Sequence, residues 1–151
     1  MRLSHLIPVA ALMLAACQPM PNAPGPPGKE NEMSQPPLGN TRWQLVEFQS
    51  PNDRIGTISP AAPDRYKLDF QADGRLAMQL DCNRGMGQWR ADGATLTMTS
   101  GATTRAMCPP GTWDMLIARD LGKVASYVVR DGDLYLALTD DGGIYRWRRL
   151  P

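Results

Sequence analysis

Tyr66-Lys67-Leu68-Asp69-Phe70-Gln71-Ala72-Asp73-Gly74-Arg75-Leu76-Ala77-Met78-Gln79-Leu80 decides the fold class. Tyr66, Leu68 and Phe70 alternate with Lys67 and Asp69, and Leu76, Met78 and Leu80 alternate with Ala77 and Gln79. A period of two puts each apolar set on one face of an extended chain, so both runs read as half-buried strands. Asp73-Gly74 between them accepts a tight reverse turn at low steric cost, which makes the pair a hairpin.

The same device recurs outward from this hairpin. Gln88-Trp89-Arg90, Asp92-Gly93 and Leu96-Thr97-Met98 repeat it, as do Tyr127-Val128-Val129, Asp131-Gly132 and Leu134-Tyr135-Leu136-Ala137-Leu138. Asp141-Gly142-Gly143 leads into a last strand over residues 144–149. Upstream, Trp43-Gln44-Leu45-Val46-Glu47-Phe48 reads as a first strand, and a Pro- and Gly-bearing loop over residues 49–65 follows it. One segment breaks the period. Thr112 is placed to cap a helix in which Trp113, Leu116, Ile117 and Leu121 recur at helical spacing, with Gly122 as its stop. The pattern therefore predicts a mainly β domain over residues 38–151. Its expected form is an antiparallel, partly open β-barrel of about eight strands, with one short helix inserted before the last three.

Residues 1–37 follow another logic. A basic Arg2 and an apolar run from Leu6 to Leu14 precede Leu14-Ala15-Ala16-Cys17. The run is shorter than the ~20 residues a bilayer span needs, and reads as the apolar region of a secretory signal. Small residues directly before a cysteine resemble the lipobox of bacterial lipoproteins. Residues 1–16 are expected to be cleaved and Cys17 to be acylated, so the bilayer becomes a partner through Cys17. Two or more acyl chains hold a protein stably where one does not. Gln18, rather than aspartate, after Cys17 resembles the pattern sent to the outer membrane. The expected address is the cell envelope, lipid-anchored, with the domain facing the periplasm. Residues 17–37 hold half of the chain's 14 prolines and no apolar periodicity, and are expected to form a disordered tether able to reach ~60 Å.

Cleavage changes the chemistry more than the length. The single histidine, His5, leaves with the signal, and with it any Ser-His-Asp or Cys-His site and the commonest metal ligand. Losing Arg2 from 16 basic residues brings them level with the 15 acidic ones. A neutral chain offers no long-range field for nucleic acid, so none is expected as a partner. With Cys17 committed to lipid, Cys82 and Cys108 remain in a compartment that permits disulfides. A bridge between them is expected; the alternative is a metal or redox pair, for which there is no CxxC and no histidine. No metal and no cofactor are expected, and a monomer is.

Two segments resemble a known family together. Asp81-Cys82-Asn83-Arg84-Gly85-Met86-Gly87-Gln88-Trp89 is similar to the Gly-Cys-Asn-x-x-x-Gly-x-Tyr segment of the META/HslJ family, and Thr103-Thr104-Arg105-Ala106-Met107-Cys108-Pro109 to its Thr-Thr-Arg-Met-x-Cys segment. Gly39-Asn40-Thr41-Arg42-Trp43 is one residue longer than the family's Gly-x-x-Trp start. The resemblance implies small envelope proteins, often lipoproteins, with an antiparallel, partly open barrel like that of a secretin pilot lipoprotein. It implies links to heat shock, novobiocin resistance and parasite virulence, and no defining catalysis. Asp81 departs from the family glycine, as does the lack of acidic residues early in the helix. A glycine needed for positive φ is less well replaced by aspartate.

The candidate residues at these motifs read as structural first. Asn83, Gly85 and Gly87 suit a tight turn or bulge. Thr104 and Arg105 are candidates for the loop or for a ligand, with Arg105 expected to donate to backbone carbonyls and the binding of an anion as its alternative. Tyr145-Arg146-Trp147-Arg148-Arg149 reads as an edge strand with Arg146 and Arg148 outside and the aromatics inside. Asp73, Asp92, Asp131, Asp133, Asp140 and Asp141 fall at turns, and turn chemistry explains them more simply than a hydrolytic carboxylate pair. The leading expectation is a non-enzymatic lipoprotein module that binds an envelope protein or a hydrophobic ligand, or supports the envelope under stress. A pilot-like holder of lipid or peptide and an inhibitor of a hydrolase such as lysozyme, working through the 49–65 loop, are the alternatives. A carboxylate-only hydrolase ranks last.

Overall fold

The computed structural model describes residues 37–151. The signal over 1–16, the acylation at Cys17 and all of the tether except Pro37 lie outside the described residues. Among the described residues, nine strands and one α-helix follow in the order β1 (Thr41–Gln49), β2 (Thr57–Ile58), β3 (Tyr66–Phe70), β4 (Arg75–Leu80), β5 (Asn83–Asp92), β6 (Thr95–Thr103), α1 (Asp114–Leu121), β7 (Val124–Arg130), β8 (Asp133–Leu138) and β9 (Ile144–Leu150), with a short 3-10 turn over Pro63–Arg65 before β3. Every pairing is antiparallel. β1 pairs with β9 along one side and with β3 on the other, so eight strands close into a ring, and the two-residue β2 lies against the end of β1.

The barrel is closed where a partly open one is expected. Its thinnest seam is β6–β7, registered through Thr95 and Ser126, with the Tyr127 amide donating to Ala94 O at 2.9 Å. α1 is inserted in the chain at this seam, between the two strands. Closure also corrects the placing of Arg146 and Arg148 on an edge. β9 is paired on both sides, with β8 and with β1.

Alternation fills the interior. Trp43 and Leu45, Tyr66, Leu68 and Phe70, Leu76, Met78 and Leu80, Leu134, Leu136 and Leu138, and Tyr145 and Trp147 all point inward, joined by Ile117 and Leu121 of α1. Each such side chain contributes about 1.5–3 kcal/mol when withdrawn from water. The turns follow the same chemistry as the sequence. Asp131 and Gly132 carry φ of 55° and 83° in the two-residue β7–β8 turn, a conformation aspartate tolerates and glycine prefers.

A bulge in β1 decides one charge. Strict alternation would place Glu47 inside with Trp43 and Leu45. The register shifts between Leu45 and Glu47, so Glu47 pairs with Arg146 on the outer face. There the Arg146 guanidinium donates through Nε and Nη2 to both Glu47 oxygens at 3.0 Å, and through Nη1 to Asp133 at 3.0 Å. The hydrogen bonding from Arg146 is the main cause that holds the Glu47 carboxyl below its ordinary range.

The helix begins later than its sequence suggests, and its first residue is Asp114, so an acidic residue does stand early in it where none is expected. Trp113 is the N-cap and makes no side-chain cap bond, while Thr112 Oγ1 donates to Asp114 Oδ1 at 2.9 Å. Gly122 ends the helix in right-handed geometry at φ −71°, so it stops α1 without the left-handed cap that glycine commonly supplies.

Candidate functional site

The two resembling segments meet at one place. Cys82 lies in the β4–β5 turn and Cys108 in the segment between β6 and α1, and they are joined with their Cα atoms 5.6 Å apart. The turn itself is Asp81-Cys82, because Leu80 pairs with Asn83. Asn83 therefore stands one residue later than a turn position, as the first residue of β5, and Gly85 and Gly87 flank a bulge inside that strand. Asp81 adopts φ 57°. The position where the family has glycine thus needs the left-handed backbone, and this chain meets it with a residue that tolerates it less well.

Asn83 is the centre of the arrangement. Its side chain is buried, yet both of its polar ends are used. Oδ1 accepts from Thr104 Oγ1 at 2.9 Å and from the Ala106 amide at 2.8 Å. Nδ2 donates to Ala106 O at 3.1 Å and to Asp114 Oδ2 at 2.9 Å, and lies 3.2 Å from Cys108 Sγ. One primary amide, with two donors and a carbonyl acceptor, thereby ties β5 to the loop and the loop to α1. Thr104 adds two further ties: its Oγ1 accepts from the Arg84 amide at 2.9 Å, and its own amide donates to Arg84 O at 2.8 Å.

The glycines serve the same join. A Cβ at Gly87 would meet Thr99 O at 2.3 Å, and one at Gly101 would meet Met86 O at 2.8 Å. β5 and β6 cross too closely here for any side chain. On the outer surface the crossing leaves two adjoining open grooves of about 430 and 450 Å³, which share Met86 and Ala102. The barrel interior is occupied by its own side chains, and the grooves are shallow features of its outside.

Arg105 corrects the sequence reading. It is exposed and donates to no carbonyl among the described residues, so it does not fix the loop. Thr104, Ala106 and Cys108 hold the backbone, while Arg105 and Met107 between them face water, Met107 at 99 % exposure. The loop is a pinned segment that presents a guanidinium and a thioether.

Three polar links escaped the sequence reading. Tyr66 Oη accepts from the Trp113 amide at 2.9 Å and donates to Asp81 Oδ2 at 3.3 Å, joining β3 to the start of α1; burial is the main cause that pushes its hydroxyl pKa up. Buried Asp120 accepts from Tyr145 Oη at 2.8 Å and from Arg119 Nε at 2.9 Å. Burial, then the Asp120 carboxylate, raises the Tyr145 pKa far above its ordinary value. Arg146 with Glu47 and Asp133 is the third. Each tyrosine was legible only as a core residue of an alternating strand, because alternation reports which face a side chain takes and not what its polar tip meets.

The META domain family model matches residues 36–149. No curated protein is significantly similar to the chain. Among solved structures, the chain is similar to a protein from Burkholderia xenovorans determined by NMR, at 20 % identity and a TM-score of 0.59, covering 91 % of this chain and 99 % of that one. It is also similar to a DUF4847 family protein from Bacteroides vulgatus ATCC 8482, at 17 % identity and a TM-score of 0.54, covering 78 % of this chain and 95 % of that one. At such identities the likeness to the two structures concerns the fold. The family match over nearly all of residues 38–151 includes the pinned loop and both of its cysteines, and this chain belongs to the META domain family.

Proposed function

We propose that the mature protein is a non-enzymatic META-family module, anchored in the cell envelope by an acylated Cys17 and holding the 104–110 loop ready for an envelope partner. The observation that carries this reading is the use made of the motif residues. Cys82, Asn83, Thr104 and Cys108 spend their polar and sulfur groups on each other, on backbone and on Asp114, which leaves none of the four as a nucleophile beside a base. General acid–base chemistry at neutral pH most often uses histidine, and the mature chain has none. A loop ordered before it meets its partner loses little conformational freedom on binding. Arginine and methionine are also enriched at protein interfaces.

The anchor is tested by Cys17→Ser. Serine offers no thiol for acyl transfer, so radiolabelled fatty acid should enter the wild-type protein and not the variant. Labelling of the variant to the wild-type level refutes the anchor. The site of binding is tested separately, by crosslinking from position 105 or 107 in the native lipoprotein. One discrete adduct, lost when Asn83→Ala frees the loop, is the expected result, and an adduct pattern indifferent to Asn83 contradicts it.

A further inference from the structure

Asp81, Cys82 and Cys108 bring one carboxylate oxygen and two sulfurs within 4.8 Å of one another. While the bridge is intact the sulfurs offer no thiolate. We infer that reducing the Cys82–Cys108 bridge opens a binding site for a thiophilic divalent cation such as zinc, with Cys82 Sγ, Cys108 Sγ and an Asp81 oxygen as its ligands.

Three observations carry this. First, the bridge is not the sole restraint on Cys108. Asn83 holds Ala106 by its amide and its carbonyl, two residues away, and the Asn83 amide lies 3.2 Å from Cys108 Sγ. Cutting the sulfur–sulfur bond leaves these contacts in place, so the two thiols stay neighbours. Second, Asp81 is buried at the turn and adjoins Cys82 directly. Among the described residues its carboxylate has only long contacts, 3.3 Å to the Tyr66 hydroxyl and 3.5 Å to the Arg65 guanidinium. The Arg65 side chain is 55 % exposed and is able to turn into water when a cation takes its place. Third, Cys82 is open to solvent in part, which admits water as a fourth ligand.

The donor set selects the metal. Two thiolates and a carboxylate, with water completing a tetrahedron, suit zinc, whereas magnesium and calcium demand oxygen ligands. Ligation at ~2.0–2.3 Å requires the three atoms to draw towards tetrahedral spacing, a movement available to side-chain torsions. Asp114 stays outside the set, because its Oδ2 accepts from Asn83 Nδ2 at 2.9 Å. The chemistry balances with a dithiol as reductant. The dithiol delivers two electrons and two protons to the bridge and leaves as its own disulfide. The metal ion then displaces both thiol protons to solvent as the thiolates bind it. The site is closed under oxidising conditions and opens where a dithiol reaches the domain.

Cobalt(II) titration of the full chain carrying Cys17→Ser tests the inference, since Cys82 and Cys108 are then its only thiols. After reduction with a phosphine and removal of the excess, the protein should take up one cobalt per chain, with a sulfur-to-cobalt charge-transfer band in the near ultraviolet that zinc abolishes. The oxidised protein should show no band. Asp81→Asn keeps a residue tolerant of the left-handed turn and should weaken binding by about tenfold or more, at least the loss that changes to outer-shell groups cause. Absence of the band in reduced protein, one cobalt per two chains, or unchanged affinity in a folded Asp81→Asn variant each overturns the site. The comparison of reduced with oxidised protein needs no substitution in the domain, so it decides the matter even if that variant does not fold.

Discussion

Alanine at both Cys82 and Cys108 is expected to lower the unfolding free energy by about 2–5 kcal/mol, the usual loss for a native bridge in a small secreted domain. The two residues are 26 apart in sequence, and a loop of that size corresponds to about 3.5 kcal/mol of chain entropy in the unfolded state. Native contacts set where in the range the value falls. Asn83 and Thr104 continue to hold the loop without the bridge, so the folded state changes little and the loss arises mainly through the freer unfolded chain. Urea unfolding checks this: the midpoint should fall while the far-ultraviolet spectrum of the β-barrel persists, because Trp43, Leu68, Leu136 and the other core positions do not depend on the bridge. An unchanged midpoint contradicts the structural role given to the cysteines.

Asn83→Ala should cost about as much by a different route, roughly 2–4 kcal/mol, because several bonds to a buried amide are lost together. The substitution removes the acceptor for Thr104 Oγ1 and for the Ala106 amide, and the donor to Ala106 O and Asp114 Oδ2. Asn83→Asp is the sharper variant. It keeps the shape and the acceptor, but it sets an oxygen 2.9 Å from Asp114 Oδ2 where a donor stood, so two carboxylates face each other. Asn83→Asp should therefore be destabilised at neutral pH and recover part of its stability as acid protonates one member of the pair. Arg105→Ala, next to the same network, should stay within about 0.5 kcal/mol of wild type, since its exposed side chain makes no hydrogen bond or ion pair among the described residues. Equal unfolding midpoints for Asn83→Ala and Arg105→Ala contradict the hub.

These substitutions also mark where the sequence was informative. Tyr66 to Leu80 announced a hairpin, because alternation and an Asp-Gly turn each act over a few residues. The positions of Leu68, Phe70, Leu76 and Met78 in the core follow from it directly. Glu47 was not legible. Its outward placing depends on a bulge whose extra residue, Val46, has no signal in the sequence, and whose cause is a partner strand almost a hundred residues away. The barrel was legible from the run of hairpins, but its full closure was not, since the pairing of β1 with β9 joins the two ends of the domain.

The site divides in the same way. Composition pointed to a cross-link, because Cys82 and Cys108 were the cysteines left once Cys17 is assigned to lipid. It did not show that Asn83 begins a strand instead of forming the turn, because the turn was taken up one residue earlier by Asp81 at positive φ. Thr112 carried the chemistry of a cap and gave its hydroxyl to Asp114 Oδ1, the carboxylate whose other oxygen accepts from Asn83. Arg105 looked like a backbone anchor beside a cross-link. Thr104 and Asn83 already occupy that role, which leaves the guanidinium free for water or a partner.

The central claim is that the family's motif residues build a rigid presenting loop and not a reactive centre. Residue-resolved amide hydrogen exchange of the oxidised protein tests it most directly, at Thr104 and Ala106. Thr104 donates to Arg84 O and Ala106 to Asn83 Oδ1, so both amides should exchange as slowly as those of the neighbouring strands, and Asn83→Ala should release Ala106. Exchange of Thr104 and Ala106 at the rate of a free exposed loop in the wild-type protein would contradict the account.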